Sequence, residues 1–241
     1  MRTRLAACAA VLVTAGLATA AAPTATAEPI DVPGATLLDD SLGSCLALVP
    51  GHLQLTNDPV DLDVRILLDG ATQETAAAAV TSMRKAYEPI GITVRPSYET
   101  VSFTGSQAES LIEQAKAHYG GVRPDGIEVV YVLTSEDVTG GAYSSALAGL
   151  ADCIGGVRYD DRAFAVGEVS DDEANEITGS TMGHEIGHLL GAHHQYASPE
   201  GLLASRPNVL SLMSPDVGLA ALRFSTLEAA VVGGYTARYA R

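Results

Sequence analysis

Thr181-Met182-Gly183-His184-Glu185-Ile186-Gly187-His188-Leu189-Leu190-Gly191-Ala192-His193-His194 is the stretch on which the reading of this chain turns. His184 and His188 lie four apart, so on a helix they share one face, about 6 Å apart along the axis. Their rings can converge on one ion at nitrogen–metal distances of about 2.0–2.1 Å. Glu185 falls on the adjoining face, where its carboxylate can hold an attacking water without ligating the metal. Were the helix to continue, His194 would sit about 9 Å beyond His188 and could not reach the same ion. The chain must therefore stop being helical and turn back. Gly191 can adopt the left-handed conformation that ends a helix without steric cost. HExxH alone recurs by coincidence; the added glycine and third histidine make the pattern specific. It names His184, His188 and His194 as ligands of one catalytic Zn2+ and Glu185 as general base. His193 competes with His194, but the fold-back register favours the residue three after Gly191, leaving His193 behind the ligands or in solvent.

Away from this stretch, the N-terminus is the most informative part. Met1-Arg2-Thr3-Arg4 is basic, Leu5 to Ala22 carries no charge, and Ala25-Thr26-Ala27 is a small-residue cleavage site. These features describe a secretory signal peptide over 1–27, with a mature start at Glu28 and a secreted, extracellular protein. No later stretch is long and apolar enough to act as a membrane anchor. Cleavage would leave 214 of the 241 residues, enough for one domain with a real core. It would remove two arginines and no acids, taking the net charge from −15 to −17. So acidic a chain is poorly suited to nucleic acid or anionic membranes.

Cysteines and acidic clusters leave alternatives open. Cys45 and Cys153 most simply form a disulfide in an oxidising exterior, although Cys45, ahead of the catalytic core, could instead cap the zinc as an inhibitory thiolate. Asp39-Asp40, Asp160-Asp161 and Asp171-Asp172-Glu173 could hold Ca2+, but none matches an ordered loop of oxygen ligands, and solvated acidic loops are the simpler reading.

Along the chain, residues 28–60 hold four prolines and little periodicity, and read as a propeptide or N-terminal arm. The catalytic domain spans 61–241. Leu62–Leu68 alternates as a strand, and Thr72–Glu88 carries Ala76, Val80, Met83 and Tyr87 at helical spacing. Ile92–Val94 predicts a second strand and Glu99–Phe103 another. Ser106-Gln-Ala-Glu109 reads as a capping box opening a helix that ends near His118. Ile127–Leu133 is a buried central strand, 140–157 an irregular edge strand, and Ala163–Val166 a short strand before the motif helix. Ser225-Thr-Leu-Glu228 is a second capping box, opening a final helix whose length Gly233-Gly234 leaves open. The order implies an α/β fold with a mixed sheet.

The zinc motif together with Met213 resembles the metzincin zinc endopeptidases, whose signature is HExxHxxGxxH followed by a methionine turn. The likeness covers 61–241. It is closest to the adamalysin/reprolysin side and its secreted bacterial relatives, on Ala148–Gly156 and Leu222-Arg-Phe-Ser225. Two positions depart from sister subfamilies: Gln195 follows the third histidine, and Pro215 stands where some carry a tyrosine ligand. The resemblance implies a mixed, mostly parallel twisted sheet, an active-site helix, and a small C-terminal subdomain with the Met213 turn and a final helix. It implies a monomeric protease whose protein or peptide substrate lies extended along Ser144–Ala151, with 213–219 lining the pocket after the cut. The alternative is a secreted zinc-containing binding protein or inactive homologue, against which Glu185 speaks, since a structural site needs no general base.

Overall fold

A computed structural model of the chain describes residue 45 and residues 59–140, 148–171, 175–193, 211–214 and 223–240, all within the unit Val32–Arg241. The 1–27 segment, most of the 28–60 arm, 141–147, His194, Gln195 and the loop from Pro215 to Leu219 lie outside those residues.

Strand β1 (Val60–Asp69) alternates in burial over its first half and is buried on both faces from Ile66 onward. It occupies an interior place in a five-stranded sheet of order β2 (Ile92–Val101), β1, β3 (Val129–Thr134), β5 (Phe164–Glu168), β4 (Gly149–Ala151). Helix α1 (Gln73–Tyr87) follows, opened by Thr72, whose hydroxyl accepts from the Thr75 N–H at 3.1 Å. Ala76, Ala79, Val80, Met83, Ala86 and Tyr87 form its buried stripe. After a one-turn 3-10 helix (Glu88–Ile90), the chain enters β2 (Ile92–Val101), parallel to β1. The two strands predicted here are one, running straight through Pro96. A proline is tolerated because β2 is an edge strand, where a missing N–H breaks no central ladder.

Helix α2 (Ala108–His118) packs on the other face of the sheet. Its predicted capping box does not form: Gln107 occupies the cap position and makes no side-chain cap bond. The backbone does the work instead. Ala108 N–H donates to Thr139 O at 2.9 Å, and Thr139 N–H donates to Ser106 O at 2.8 Å. His118 lies in the last turn, its ring 2.8 Å from Glu99, as suits a helix C-terminal residue. Strand β3 (Val129–Thr134) is wholly buried, sending Val129, Tyr131 and Leu133 to the core shared with α1, and Val130 and Val132 to the core under α2. Strand β5 (Phe164–Glu168) extends the parallel sheet, and the short edge strand β4 (Gly149–Ala151) pairs with it antiparallel.

Helix α3 (Glu176–Leu189), which carries the motif, is buried nearly end to end. Glycines recur along it every fourth residue, and so on one face. A β-carbon on Gly179 would meet Ser82 at 2.6 Å, one on Gly183 would meet Met83 and Leu212 at 3.3 Å, and one on Gly187 would meet the Met213 sulfur at 2.7 Å. One on Gly191, just past the helix, would meet the Tyr235 ring at 2.6 Å. The stripe lets α1, the turn at 211–214 and the final helix α4 (Thr226–Tyr239) press against the α3 backbone. The second capping box does form: Ser225 Oγ accepts from Glu228 N–H at 3.3 Å while the Glu228 carboxylate accepts from Ser225 N–H at 2.7 Å. Helix α4 continues through Gly233-Gly234, both buried, so packing overrides their low propensity. Cys45 is disulfide-bonded to Cys153, which rules out the zinc-capping thiolate. Among the described residues no helix is long and apolar enough to cross a membrane.

Candidate metal centre

The last turn of α3 ends as the motif requires. Gly191 has φ 88°, its N–H donates to His188 O at 2.8 Å, and Ala192 N–H donates to Gly187 O at 2.9 Å. This pair of bonds is a Schellman closure, and it turns the chain back at the glycine. The same turn brings the Ala192 carbonyl under the His188 ring, whose Nδ1 lies 2.7 Å from it. The His184 Nδ1 lies 2.7 Å from the carbonyl of Leu212, twenty-eight residues away in the 211–214 turn.

A carbonyl oxygen can only accept, so both Nδ1 atoms carry protons, and each ring in its neutral form presents an Nε2 lone pair. Those two Nε2 atoms face each other at 3.0 Å across rings nearly perpendicular, at 84°. Two lone pairs at that distance repel unless something positive lies beside them. Their separation is close to the ~3.3 Å of two nitrogens on one tetrahedral zinc ion. Both rings are buried, and burial pushes the His184 pKa down to about 4 against the upward pull of its bond to Leu212, so the ring is neutral at pH 7. The donor set, its tautomers and its spacing therefore fit a zinc ion. His193 is half-buried; the third predicted ligand, His194, is outside the described residues.

Glu185 is 7 % exposed, with the Ala151 N–H of β4 bonded to its carboxylate. Burial raises its pKa to about 8, opposed by that bond. A nearby divalent cation would pull it back down. A β-carbon on Gly149 would meet Glu185 Cγ at 2.9 Å, so β4 lies directly on the glutamate. Met213 is wholly buried, its sulfur beneath Gly187. Of the acidic clusters read as calcium candidates, Asp160 is ion-paired with Arg123 at 3.0 Å.

The groups that orient the two histidines and Glu185 were not foreseen. Leu212 O, Ala192 O and Ala151 N–H are backbone atoms, which leave no mark in a side-chain pattern. The glycine stripe did have a signal, in the four-residue recurrence from Gly179 to Gly191.

The family model described as "Metallo-peptidase family M12B Reprolysin-like" matches residues 74–195, half of the chain, from the first turn of α1 through the motif. The chain belongs to the M12B reprolysin-like metallopeptidases. Its mixed and mostly parallel sheet is the one expected of a metzincin-like metallopeptidase. Among solved structures the chain is similar to archaemetzincin from Methanopyrus kandleri, with 17% identity and a TM-score of 0.50 over 77% of this chain and 97% of that one. It is also similar to metalloproteinase-II from Bacteroides fragilis, with 18% identity and a TM-score of 0.49 over 69% of this chain. The metallopeptidase spans half the length of that Bacteroides enzyme. Among curated proteins none matches it.

Proposed function

We propose that this metallopeptidase is a secreted endopeptidase that cuts protein or peptide chains with a zinc-assisted water, Glu185 acting as general base. The observation that carries the reading is the pair of buried Nε2 atoms 3.0 Å apart, each on a ring whose other nitrogen is committed to a carbonyl. His184, His188 and His194 would hold the ion. Zinc, when bound, supplies the Lewis acidity that makes water acidic enough to attack at neutral pH and polarises the scissile carbonyl. Glu185 accepts the proton of the attacking water and delivers it to the departing amine. The Ala151 N–H holds the carboxylate in place and favours its charged form.

Among the described residues strand β4 pairs with β5 on one side and ends the sheet, so an extended substrate can add beside it. Secretion rests on the 1–27 signal pattern and accords with the Cys45–Cys153 disulfide. Residues 28–60 are an N-terminal arm or a propeptide, and any cleaved fragment that contains Cys45 stays bonded to Cys153.

The test is hydrolysis of a casein-type substrate by the zinc-loaded protein and by Glu185→Ala, with zinc content measured in both. A general base contributes about 10²–10⁴-fold, so Glu185→Ala should retain zinc and lose activity on that scale. Equal background turnover in both proteins would instead favour a zinc-containing binding protein.

A further inference from the structure

The His184 ring is held by a carbonyl of the 211–214 turn, and that turn is itself held from the final helix. Glu228 is 3 % exposed and uses its carboxylate in two directions. Oε2 closes the capping box by accepting from Ser225 N–H at 2.7 Å. Oε1 reaches out of the helix and accepts from the Ser211 hydroxyl at 2.9 Å. The same hydroxyl accepts from Met213 N–H at 3.2 Å, so Ser211 Oγ bonds in both directions between helix and turn. Within the turn, Ser211 N–H donates to Ser214 Oγ at 3.0 Å, and Leu212 N–H donates to Arg223 O at 2.8 Å. Leu212 O, between these anchors, accepts from His184 Nδ1 at 2.7 Å. Ser211, Ser214 and Glu228 are all buried, so each polar group depends on these partners rather than on water.

A cap alone would need only one oxygen of Glu228. Here the second oxygen makes a buried bond to the residue next to the one that orients His184. We propose that Glu228 is a positioning residue for the metal centre. Acting through Ser211, it sets the 211–214 turn so that Leu212 O fixes the tautomer and plane of the His184 ring. The inference rests on the zinc reading above and extends it to the final helix. Its chemistry is that of an outer partner of a metal ligand, whose loss ordinarily costs about 10–100-fold in metal affinity.

The capping and positioning roles separate by substitution. Ser225→Ala removes a cap bond and leaves Ser211–Glu228 intact. Ser211→Ala removes the relay and leaves the cap intact. Ser211→Thr keeps the hydroxyl, and Glu228→Gln keeps the shape without the charge. Each protein is measured for melting temperature, for zinc affinity by competition with a chromophoric chelator, for the visible spectrum of its cobalt(II) form, and, zinc-free, for the His184 Nδ1–H signal by ¹⁵N-edited NMR. Ser211→Ala should bind zinc about 10–100-fold more weakly, shift the cobalt bands and lose or broaden the Nδ1–H signal. Ser211→Thr should restore all three, and Glu228→Gln should fall between. Ser225→Ala should melt earlier with zinc affinity within about twofold of the parent. If Ser211→Ala keeps parental zinc affinity and an intact Nδ1–H signal, or if affinity across the set merely follows melting temperature, the relay is refuted. If the parent binds no zinc, the proposed function fails, while the Nδ1–H signal of the zinc-free variants still decides the relay. Should Ser211→Ala not fold, Glu228→Gln and Ser211→Thr give the same comparison.

Discussion

Glu185 makes a quantitative prediction about the zinc-free protein. Burial holds its pKa at about 8, against an ordinary value of 4.5. Below about pH 4.5 both the folded and unfolded chains carry this proton. Between 4.5 and 8 the unfolded chain has released it and the folded chain has not, so stability falls by about 1.4 kcal/mol per pH unit. Above 8 both states are ionised and the loss is complete, at roughly 5 kcal/mol. His184 runs the other way. Its folded pKa is lowered to about 4 from 6.5, so between those values the unfolded chain holds a proton that the folded chain lacks, and stability rises with pH. The two slopes oppose each other between pH 4.5 and 6.5, leaving the decline from Glu185 uncovered from 6.5 to 8. Glu185→Gln deletes the titration while retaining an acceptor for the Ala151 N–H. The assay is urea unfolding of both proteins in excess chelator from pH 5 to 9. The variant should gain on the parent by about 1.4 kcal/mol per unit up to pH 8 and then hold level. Added zinc should shrink the difference, because the cation favours the ionised carboxylate. A difference that stays flat from pH 5 to 8 would mean that Glu185 is already ionised in the zinc-free fold, and the burial argument would fall.

The glycine stripe yields a paired comparison. Gly187→Ala puts a methyl 2.7 Å from the Met213 sulfur, an overpacking cost of about 1–3 kcal/mol against about 1 kcal/mol of helix propensity gained. It should lower the urea midpoint and weaken zinc binding. Gly183→Ala, whose nearest neighbours stand at 3.3 Å, should do neither, and identical behaviour of the two would contradict the stripe. Met213→Ala should cost about 2–5 kcal/mol by leaving a cavity under α3, whereas Met213→Leu should cost less than about 1.5; equal losses in calorimetry would argue against a packing role. Because Cys45 and Cys153 are 108 residues apart, replacing both by serine should remove about 2–4 kcal/mol of stability. Unchanged unfolding free energy would show that the bond constrains little of the unfolded chain.

How much of this was legible beforehand follows from the range of each interaction. The motif helix, its end at Gly191 and the Ser225 capping box were read correctly, since each rests on residues within a few positions of one another. Ser106-Gln-Ala-Glu109 has the same local form and failed, because Thr139, over thirty residues on, reached the backbone there first. Ile92–Val94 and Glu99–Phe103 read as two strands, but they are one: β2 runs through Pro96, which its place at the sheet edge tolerates. The sequence left Cys45 with two fates, and the choice needed Cys153 to be adjacent in space.

The amino-acid order by itself determined the chemistry on offer: two imidazoles one helical turn apart, a carboxylate beside them, and a glycine to stop the helix. Those follow from a repeat of 3.6 residues and from steric rules acting over a few bonds. Tertiary structure alone decided that the Leu212 carbonyl holds the His184 Nδ1 proton, that β4 lies on Glu185, and that Glu228 reaches the turn beneath His184. The reason is physical: backbone groups are the same in every residue, so which of them meets a given side chain is settled only when distant segments pack.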